Sequence, residues 1–305
     1  MSADEQQPFV ALEHSGLCAI IGRPNVGKST LLNALLGEKV SIATRKPQTT
    51  RHRILGVLHQ EQAQVVWVDT PGLHARGQRA LNRELNRAAL AALEEIDVVL
   101  LVTRALEWGE EDERALAALA NVSAPVILAI NQVDRVADKR QLLPHIERLS
   151  ELREFAAVVP ISALRRRNLD RLQEEVVTRL PPGPPLFPHD QITDRDVGFR
   201  LAELIREQLI VALGDELPYA TSVQIQGFER GGGVSKIAAL IWVEREAQKP
   251  IVIGERGKRL KKVGSLARRE IEQLLGEQVH LELWVKVKAQ WSDDARALRE
   301  LGYGE

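Results

Sequence analysis

The sequence contains one cysteine, almost no net charge and no long apolar run. The single thiol, Cys18, excludes an internal disulfide framework and indicates a reducing compartment. Because Cys18 lies in an apolar segment, we expect it to be buried and inert. No apolar run approaches the roughly 18 residues that a membrane-spanning helix needs, and residues 1–10 lack the pattern of a signal peptide. These absences predict a cytoplasmic protein and leave peripheral membrane contact open.

The charge balance excludes a protein that is basic over its whole surface. The 41 basic and 42 acidic residues give a formal net charge of -1. Any affinity for nucleic acid must therefore come from a local patch. The length of 305 residues, 44% of them apolar, predicts two folded domains.

The first domain has the pattern of an α/β sheet. Between residues 17 and 180 short apolar runs alternate with longer amphipathic segments, and six runs are predicted strands: LCAIIG, RILGVL, QVVWVD, DVVLLVT, PVILAIN and AVVPIS. Most of them are continuously apolar, as expected for strands covered on both faces. The connection HQEQA between the second and third runs is too short for a parallel crossover. The sequence predicts a mostly parallel sheet with one antiparallel edge strand.

A proline-rich stretch, LPPGPPLFPHD at residues 180–190, predicts the boundary to a second domain. The pattern beyond it predicts a helix over 196–213, two strands, a helical region and a final strand, VHLELWVKVK. In that strand the side chains expected to face a core are Val279, Leu281, Leu283, Val285 and Val287. The even positions carry Trp284, for which we expect packing or a domain contact rather than base stacking, as for Trp291.

A phosphate-binding loop follows the first predicted strand. GRPNVGKS, residues 22–29, matches G-x-x-x-x-G-K-[ST] and precedes an amphipathic helix. Its backbone N–H groups and the helix N-terminus would cradle phosphates, while Lys28 reaches the β and γ phosphates and Ser29 offers its hydroxyl to Mg²⁺. The residues of this loop predicted to contact the nucleotide are Gly22, Arg23, Pro24, Asn25, Val26, Gly27, Lys28, Ser29 and Thr30.

Three further motifs end later strands at the edge where open α/β sheets bind ligands. DTPG holds Asp69, placed to bind the metal, and the Gly72 amide, placed near the γ-phosphate. In NQVD, Asp134 can accept hydrogen bonds from guanine N1–H and the 2-amino group, donors that adenine lacks. In SAL, Ser162 and Ala163 could contact the base. The predicted contacts in these motifs are Asp69, Thr70, Pro71, Gly72, Leu73, Asn131, Gln132, Asp134, Ser162, Ala163 and Leu164.

These motifs together resemble the Era family, bacterial GTPases with a carboxy-terminal KH RNA-binding domain. The resemblance covers about residues 15–303 and includes GRPNVGKST, KPQTTRHRILG, DTPGLH, ITDR, GFERGGG, VEREAQKPIVIG and HLELWVKVK. It implies an α/β P-loop GTPase domain over 15–181, a linker over 182–192 and an α+β type II KH domain with a C-terminal tail over 193–305, after a flexible N-terminus over 1–14. The implied activity is slow hydrolysis of GTP to GDP with Mg²⁺.

The same resemblance implies a biological role. The protein would be a monomeric switch that binds the 3′ end of 16S ribosomal RNA, acts in 30S subunit assembly and its coupling to the cell cycle, and attaches peripherally to the inner membrane. Residues 41–53 and 72–79 would order around the γ-phosphate and Mg²⁺. The alternative left open is an RNA-binding chaperone that uses GTP mainly as a structural ligand.

The resemblance also assigns roles within the GTPase domain. Thr49 or Thr50 would meet Mg²⁺ and the γ-phosphate, the metal ligands would be Ser29, Thr50 and Asp69, and the catalytic set would be Lys28, Thr49, Thr50 and Gly72. Asn25 resembles a potassium ligand of some relatives, and a loop-bracing role stays open for it. Two departures stand out: Gln132 replaces the usual lysine beside the base, and Leu73 cannot orient a water.

The basic patch lies in the second domain. Residues 254–269 hold seven lysines and arginines against one acidic residue, Glu255. They begin with GERG, which follows PIVI, predicted here to be a strand end and an apolar floor for bases. Glycines allow close approach to sugar-phosphate, and the arrangement is typical of a KH clamp for about four nucleotides. The predicted RNA contacts are Gly254, Glu255, Arg256, Gly257, Lys258, Arg259, Lys261 and Lys262.

Overall fold

The computed structural model describes residues 12–44, 46, 49–72, 80–214 and 217–303. Its contacts divide the chain into two units. The first comprises the described residues of Met1–Lys39, Arg53–Thr70 and Leu90–Asp194, and the second those of Val40–His52, Pro71–Ala89 and Arg195–Glu305. Within the described ranges no helix combines the length and apolarity needed to cross a bilayer.

The first unit is built on a six-stranded sheet. Its strands are β1 (His14–Ile21), β2 (Ile54–His59), β3 (Ala63–Asp69), β4 (Val98–Arg104), β5 (Val126–Asn131) and β6 (Ala157–Pro160). The order is β2-β3-β1-β4-β5-β6, and every neighbouring pair is parallel except β2 with β3. The predicted parallel sheet with one antiparallel edge strand is confirmed.

Helices connect and cover these strands. They are α1 (Lys28–Leu36), α2 (Ala80–Ala91), α3 (Glu110–Ala117), α4 (Leu142–Ser150) and α5 (Leu169–Val177), and residues 80–89 of α2 belong to the second unit. Every residue of β3 and of β5 is buried, as continuous apolar strands require when both faces are covered. Cys18 in β1 is fully buried, and its burial, reinforced by Asp97, raises the pKa of the thiol far above its ordinary value.

The proline-rich stretch packs on the first unit, where the sequence predicts a linker over 182–192. The buried side chain of Gln64 accepts hydrogen bonds from the N–H groups of Leu186 at 2.6 Å and Phe187 at 3.0 Å, and donates to the Phe187 carbonyl at 2.8 Å. A backbone bridge joins Gly183 to Leu12, within the predicted flexible N-terminus. Because their backbone groups are bonded to the body of the first unit, these residues form part of it.

The second unit contains a three-stranded sheet covered by helices. Its elements are α6 (Val197–Ala212), β7 (Thr221–Glu229), β8 (Val234–Val243), α7 (Gln248–Ile253), α8 (Lys258–Leu275), β9 (Gln278–Val287) and α9 (Ala295–Glu300). The strand order is β7-β8-β9, with β7 antiparallel and β9 parallel to β8. The predicted order of helix, two strands, helical region and strand is confirmed.

One local prediction is wrong. Residues 250–253, PIVI, form the end of helix α7 rather than a strand. A run of three β-branched residues favours a strand by propensity, but Val252 is fully buried in the helix-covered core while Ile251 is about half exposed. The one-sided burial suits a short helix, and Gly254 ends it at a φ of 74°.

The core of the second unit lies between the helices and one face of the sheet. Helix α6 begins where the Asp196 carboxylate accepts a hydrogen bond from the Phe199 N–H at 2.7 Å. Its apolar face, which includes the fully buried Leu209, packs with Ile241 of β8 and Ile271 of α8. The five odd positions of β9 predicted to face a core all pack against this cluster.

Replacing Leu209 by alanine tests this core. Leu209 is fully buried, so we expect Leu209→Ala to destabilise the second unit by about 2–5 kcal/mol through reduced burial and the cavity left behind. Hydrogen exchange of strand β8 in the intact chain measures the loss of protection. The matched control is Val211→Ala on the same helix, because Val211 is 63% exposed. Equal protection in the two variants would contradict the assignment of this face to the core.

Candidate functional site

Four loops meet at one edge of the first unit's sheet. The phosphate loop follows β1, Asp69 ends β3, Asn131 ends β5, and Ser162 lies two residues after β6. These four strands run parallel to one another within the sheet. Their carboxyl ends therefore lie at the same edge, which brings the predicted motifs together.

The phosphate loop is closed by a glycine that no other residue could replace without strain. Gly27 has a φ of 102°, and a Cβ added to it would lie 2.5 Å from the Asn131 side-chain nitrogen. Helix α1 begins at the next residue, and the start of a helix offers backbone N–H groups and the positive end of the helix dipole to a ligand. This backbone arrangement is suited to an anion.

Lys28 lies inside this loop. Its ammonium donates hydrogen bonds to the carbonyls of Gly22 at 2.8 Å and Arg23 at 3.1 Å, and the side chain is buried. Burial lowers the pKa of Lys28 to about 8, against the opposing effect of the Asp69 carboxylate. A group that has lost much of its hydration gains strongly from a polyphosphate beside it.

Asn131 ties three of the predicted motifs together. Its side-chain Nδ2 donates to the Val26 carbonyl of the phosphate loop at 2.8 Å. Its Oδ1 accepts hydrogen bonds from the N–H of Gln132 at 2.7 Å and of Ala163 at 3.0 Å. The Ala163 amide, predicted from the sequence to meet the base, is thus used within the protein to fix the loop.

Asp134 and Ser162, both predicted at the base, are in direct contact. The Ser162 hydroxyl donates to the Asp134 carboxylate at 2.5 Å and accepts from the Arg165 N–H at 3.1 Å. Gln132 turns back toward the phosphate loop, and its side-chain nitrogen donates to the carbonyls of Asn25 at 3.3 Å and Val26 at 3.4 Å. The Ser162 hydroxyl thereby orients the Asp134 carboxylate, which retains acceptor sites for further hydrogen-bond donors.

Ser29 and Asp69 form the predicted metal end of the site. The Ser29 hydroxyl donates to the Asp69 carboxylate at 2.8 Å, and the Thr70 hydroxyl next along the chain donates to the Ile20 carbonyl at 2.9 Å. Hydroxyl and carboxylate oxygens are the hard donors that Mg²⁺ prefers, so this pair fits that ion. Asn25 is exposed, and its side chain makes no hydrogen bond to any part of the chain that the structure describes.

The remaining predicted nucleotide contacts have varied surroundings. The Arg23 guanidinium pairs with Asp112 at 2.9 Å and Glu107 at 2.8 Å, partners that no sequence motif indicates. Pro24 and Thr30 lie in the phosphate loop and the first turn of α1, and Leu164 is 64% exposed. Four of the predicted residues belong to the second unit: Thr49, Thr50, Pro71 and Gly72. Leu73 lies outside the described residues.

A groove in the second unit lies between α8 and β9. It has a volume of about 400 Å³ and is lined by Gly257, Leu260, Lys261, Gly264, Ser265, Arg268, Leu281 and Leu283. The alternation along β9 predicts a core position for Leu281 and Leu283, and their partial burial leaves them available at the groove. The alternation along β9 indicates which face of the sheet Leu281 and Leu283 occupy, but it does not indicate the groove beside them.

The loop before this groove has the backbone of a close-approach site. Gly254 has a φ of 74°, and a Cβ there would lie 2.6 Å from that of Arg259. Arg256, Lys258, Lys261 and Lys262 are exposed, and within the described ranges none of them forms an ion pair. Arg259 instead donates to the Ile251 carbonyl. The exposed positive charges and the groove form one surface.

The two tryptophans differ in their surroundings. Trp291 is fully buried and donates from its indole nitrogen to the Ala220 carbonyl at 3.2 Å, which confirms the prediction of packing. Trp284 is 45% exposed on the outer face of β9.

Comparison with known proteins finds a family model for a part of each domain. Residues 17–132 match the family model described as 50S ribosome-binding GTPase, and residues 216–292 match the KH domain model. GTPase Era of Pseudomonas aeruginosa (strain LESB58) is 53% identical over 302 residues, which cover 99% of each chain.

Two solved structures are similar over nearly the whole chain. A variant of Aquifex aeolicus Era bound to GDP and AlF4⁻ has a TM-score of 0.92 at 40% identity, covering 96% of this chain and 100% of that one. Era in complex with MgGDPNP and nucleotides 1506–1542 of 16S ribosomal RNA has a TM-score of 0.93 at 40% identity, covering 96% and 99%. The P-loop GTPase fold followed by a KH domain is thereby established, and the chain belongs to the Era family of GTPases.

Proposed function

We propose that this protein is a GTP-hydrolysing switch that binds the 3′ region of 16S ribosomal RNA and acts in assembly of the 30S subunit. The observation that carries the proposal is the Asn131 amide, which joins the phosphate loop to the guanine motif within one unit. The solved Era complex with MgGDPNP and 16S ribosomal RNA supports both ligands.

The nucleotide would lie along the edge formed by the four loops. Backbone N–H groups of residues 22–30 would hold the phosphates, with Lys28 at the β and γ phosphates. Asp134, oriented by Ser162, would accept hydrogen bonds from guanine, and Gln132 would cover the base less fully than a lysine stem. Fixed donors and acceptors of this kind bind without reorganisation.

Ser29, Asp69 and Thr50 would hold Mg²⁺. When bound, the ion neutralises charge on the β and γ phosphate oxygens. The contact between Ser29 and Asp69 supports the first two assignments. Asn25, with its side chain exposed beside the phosphate loop, would offer an oxygen to K⁺.

The catalytic groups would be few. The γ-phosphate would be positioned by Lys28, Thr49, Thr50 and the Gly72 amide. The side chain of Leu73 has no polar atom with which to orient a water molecule. Hydrolysis would depend on positioning and electrostatics and would be slow without a partner.

The groove beside GERG would take single-stranded RNA. Its leucines would offer an apolar floor to unstacked bases. The negative charge of Glu255 would weaken the phosphate contacts slightly. The residues that would contact the sugar-phosphate backbone are Gly254, Arg256, Gly257, Lys258, Arg259, Lys261 and Lys262. This arrangement matches the chemistry of a KH clamp.

The wider organisation follows the family. We propose two domains, over 15–181 and 193–305, connected by residues 182–192, which pack on the first unit. We also propose that the protein is a monomer with a cytoplasmic location and peripheral attachment to the inner membrane. Coupling of ribosome assembly to the cell cycle would follow from the same switch.

Exchanging the guanine selector tests the nucleotide site. Asp134→Asn places a donor where guanine also donates, so we expect GTP affinity to fall by at least about 1–3 kcal/mol and XTP affinity to rise. Isothermal titration with both nucleotides measures the change. The control is Asp138→Asn, four residues further along, where the aspartate is outside the predicted base contacts. Unchanged GTP affinity in Asp134→Asn would refute the assignment of the selector.

Removing basic residues beside the groove tests the RNA site. The double variant Lys258→Ala, Lys261→Ala should bind an oligonucleotide carrying nucleotides 1506–1542 more weakly. Its slope of log K against log salt should be shallower by about 0.7 for each phosphate that the protein no longer neutralises. The control, Lys236→Ala, removes an exposed lysine from β8. A slope equal to that of the wild type would exclude these two lysines from the interface.

Hydrolysis with RNA present tests the switch itself. We expect the 1506–1542 oligonucleotide to accelerate phosphate release, because RNA binding would favour the ordered switch, and a scrambled oligonucleotide to have no effect. Phosphate release is followed under saturating GTP, in potassium and in sodium. Tight GTP binding with release at the uncatalysed level in both salts would favour the chaperone alternative.

A further inference from the structure

Residues 40–52 lie in the sequence between α1 and β2 of the first unit, yet those of them that the structure describes belong to the second unit. Helix α6 holds its backbone at two points. Arg206 donates to the Thr49 carbonyl, and the Glu207 carboxylate accepts from the Ala43 N–H at 3.1 Å. Arg206 is almost fully buried and is paired with Glu203 on the same helix. The backbone around the switch threonines is therefore anchored to the KH domain's first helix.

The last part of the segment is held by the C-terminal segment, residues 291–303. The His52 ring stacks on Tyr303 with centroids 4.6 Å apart and an interplanar angle of 16°. The Arg51 guanidinium donates to the Tyr303 hydroxyl at 3.4 Å and lies 6.0 Å from the Trp291 ring centroid. Tyr303 is 4% exposed, so this contact is part of a buried cluster and not a surface association.

The C-terminal segment also contacts the start of α2, which follows residues 72–79, the second stretch predicted to order around the γ-phosphate. Leu81 and Leu85 of α2 pack in one buried cluster with Trp291, Leu298 and Tyr303. The Asp293 carboxylate accepts the Ala80 N–H at 2.9 Å, at the first residue of the helix. The same C-terminal segment therefore contacts residues within 41–53 and the helix that follows 72–79, the two stretches predicted to order around the γ-phosphate.

The segment held by these contacts leads directly into strand β2 of the first unit. Strand β2 begins at Ile54, which pairs directly with Asp69 at the end of β3. Only Arg53 lies between His52 and Ile54. The stacking of His52 on Tyr303 therefore holds the backbone two residues before Ile54, the strand partner of the predicted metal ligand Asp69. Movement of Tyr303 away from His52 would remove the stacking contact at the end of the segment, while Arg206 would still hold the Thr49 carbonyl and Arg51 would still donate to the Thr221 carbonyl at 2.8 Å.

We propose that Tyr303 and Asp293 are positioning residues for GTP hydrolysis, which hold segment 40–52 and the start of α2 in the arrangement that the reaction needs. The inference rests on the proposed switch function and adds to it a dependence on the C-terminal segment. It predicts an effect on the hydrolysis step and little effect on nucleotide affinity, because the phosphate loop and the guanine motif make their contacts within the first unit.

Single-turnover hydrolysis by the full chain tests this inference. We expect Tyr303→Ala to lower the rate about tenfold, since a misplacement of about 1 Å can cost up to about 100-fold. The dissociation constant for GDP should stay within about twofold of the wild-type value, because positioning acts on the reaction rather than on binding. Tyr303→Phe keeps the ring that stacks on His52 and should restore most of the rate. Asp293→Ala changes an exposed side chain, so we expect the variant to fold. It should also slow hydrolysis.

The control is Arg299→Ala, which changes an exposed residue of the same segment and should match the wild type. Hydrogen exchange of β7 to β9 verifies that each variant is folded. A wild-type or faster rate in Tyr303→Ala and Asp293→Ala would overturn the inference while leaving the GTPase function intact. Equal reductions of rate and GDP affinity would also overturn it, because they would indicate general unfolding. Absence of hydrolysis in the wild type would instead contradict the proposed function.

Discussion

The nucleotide site depends on one buried amide. Asn131 is 2% exposed and uses both ends of its side chain, donating to the phosphate loop and accepting from the guanine motif and from the loop after β6. An apolar side chain there would leave buried backbone groups without partners, at a cost of about 1–3 kcal/mol each. Gly27 must lack a side chain because the amide lies where a Cβ would be. The spacing between the phosphate end and the base end follows from this contact.

The second unit uses a different constraint, a buried ion pair. Burial alone would raise the pKa of Glu203, but Arg206 holds it below its ordinary value. Such pairs add little net stability, because the loss of hydration offsets their attraction. They do fix geometry, and here the arginine uses a remaining donor on the Thr49 carbonyl. The Glu203–Arg206 pair thus defines the position at which the Thr49 backbone is held on α6. An apolar contact, which has no preferred direction, would define that position less precisely.

Local patterns predict much of the fold and of the first site. Continuous apolar runs indicate the strands, the short connection indicates the antiparallel edge, and glycine spacing indicates the phosphate loop. Three features are not predicted, because each depends on packing against partners that are distant in the sequence. Propensity favours a strand for PIVI, yet packing on one side makes it a helix. No sequence pattern indicates the contacts of Tyr303 with Arg51 and of Asp293 with Ala80, because the partners are separated by 252 and 213 positions in the chain. The groove leucines lie on the predicted face, but the groove's opening depends on where α8 packs.

The single cysteine has a practical consequence. Cys18 has no exposed surface, and burial and the nearby Asp97 keep its thiol protonated at neutral pH. Thiolate is the form that reacts with maleimides. A cysteine introduced at a chosen surface position would therefore be labelled selectively in the folded protein. Fluorophores or spin labels could be attached in pairs without first replacing the native residue, and distances between the two units could be followed during a nucleotide cycle.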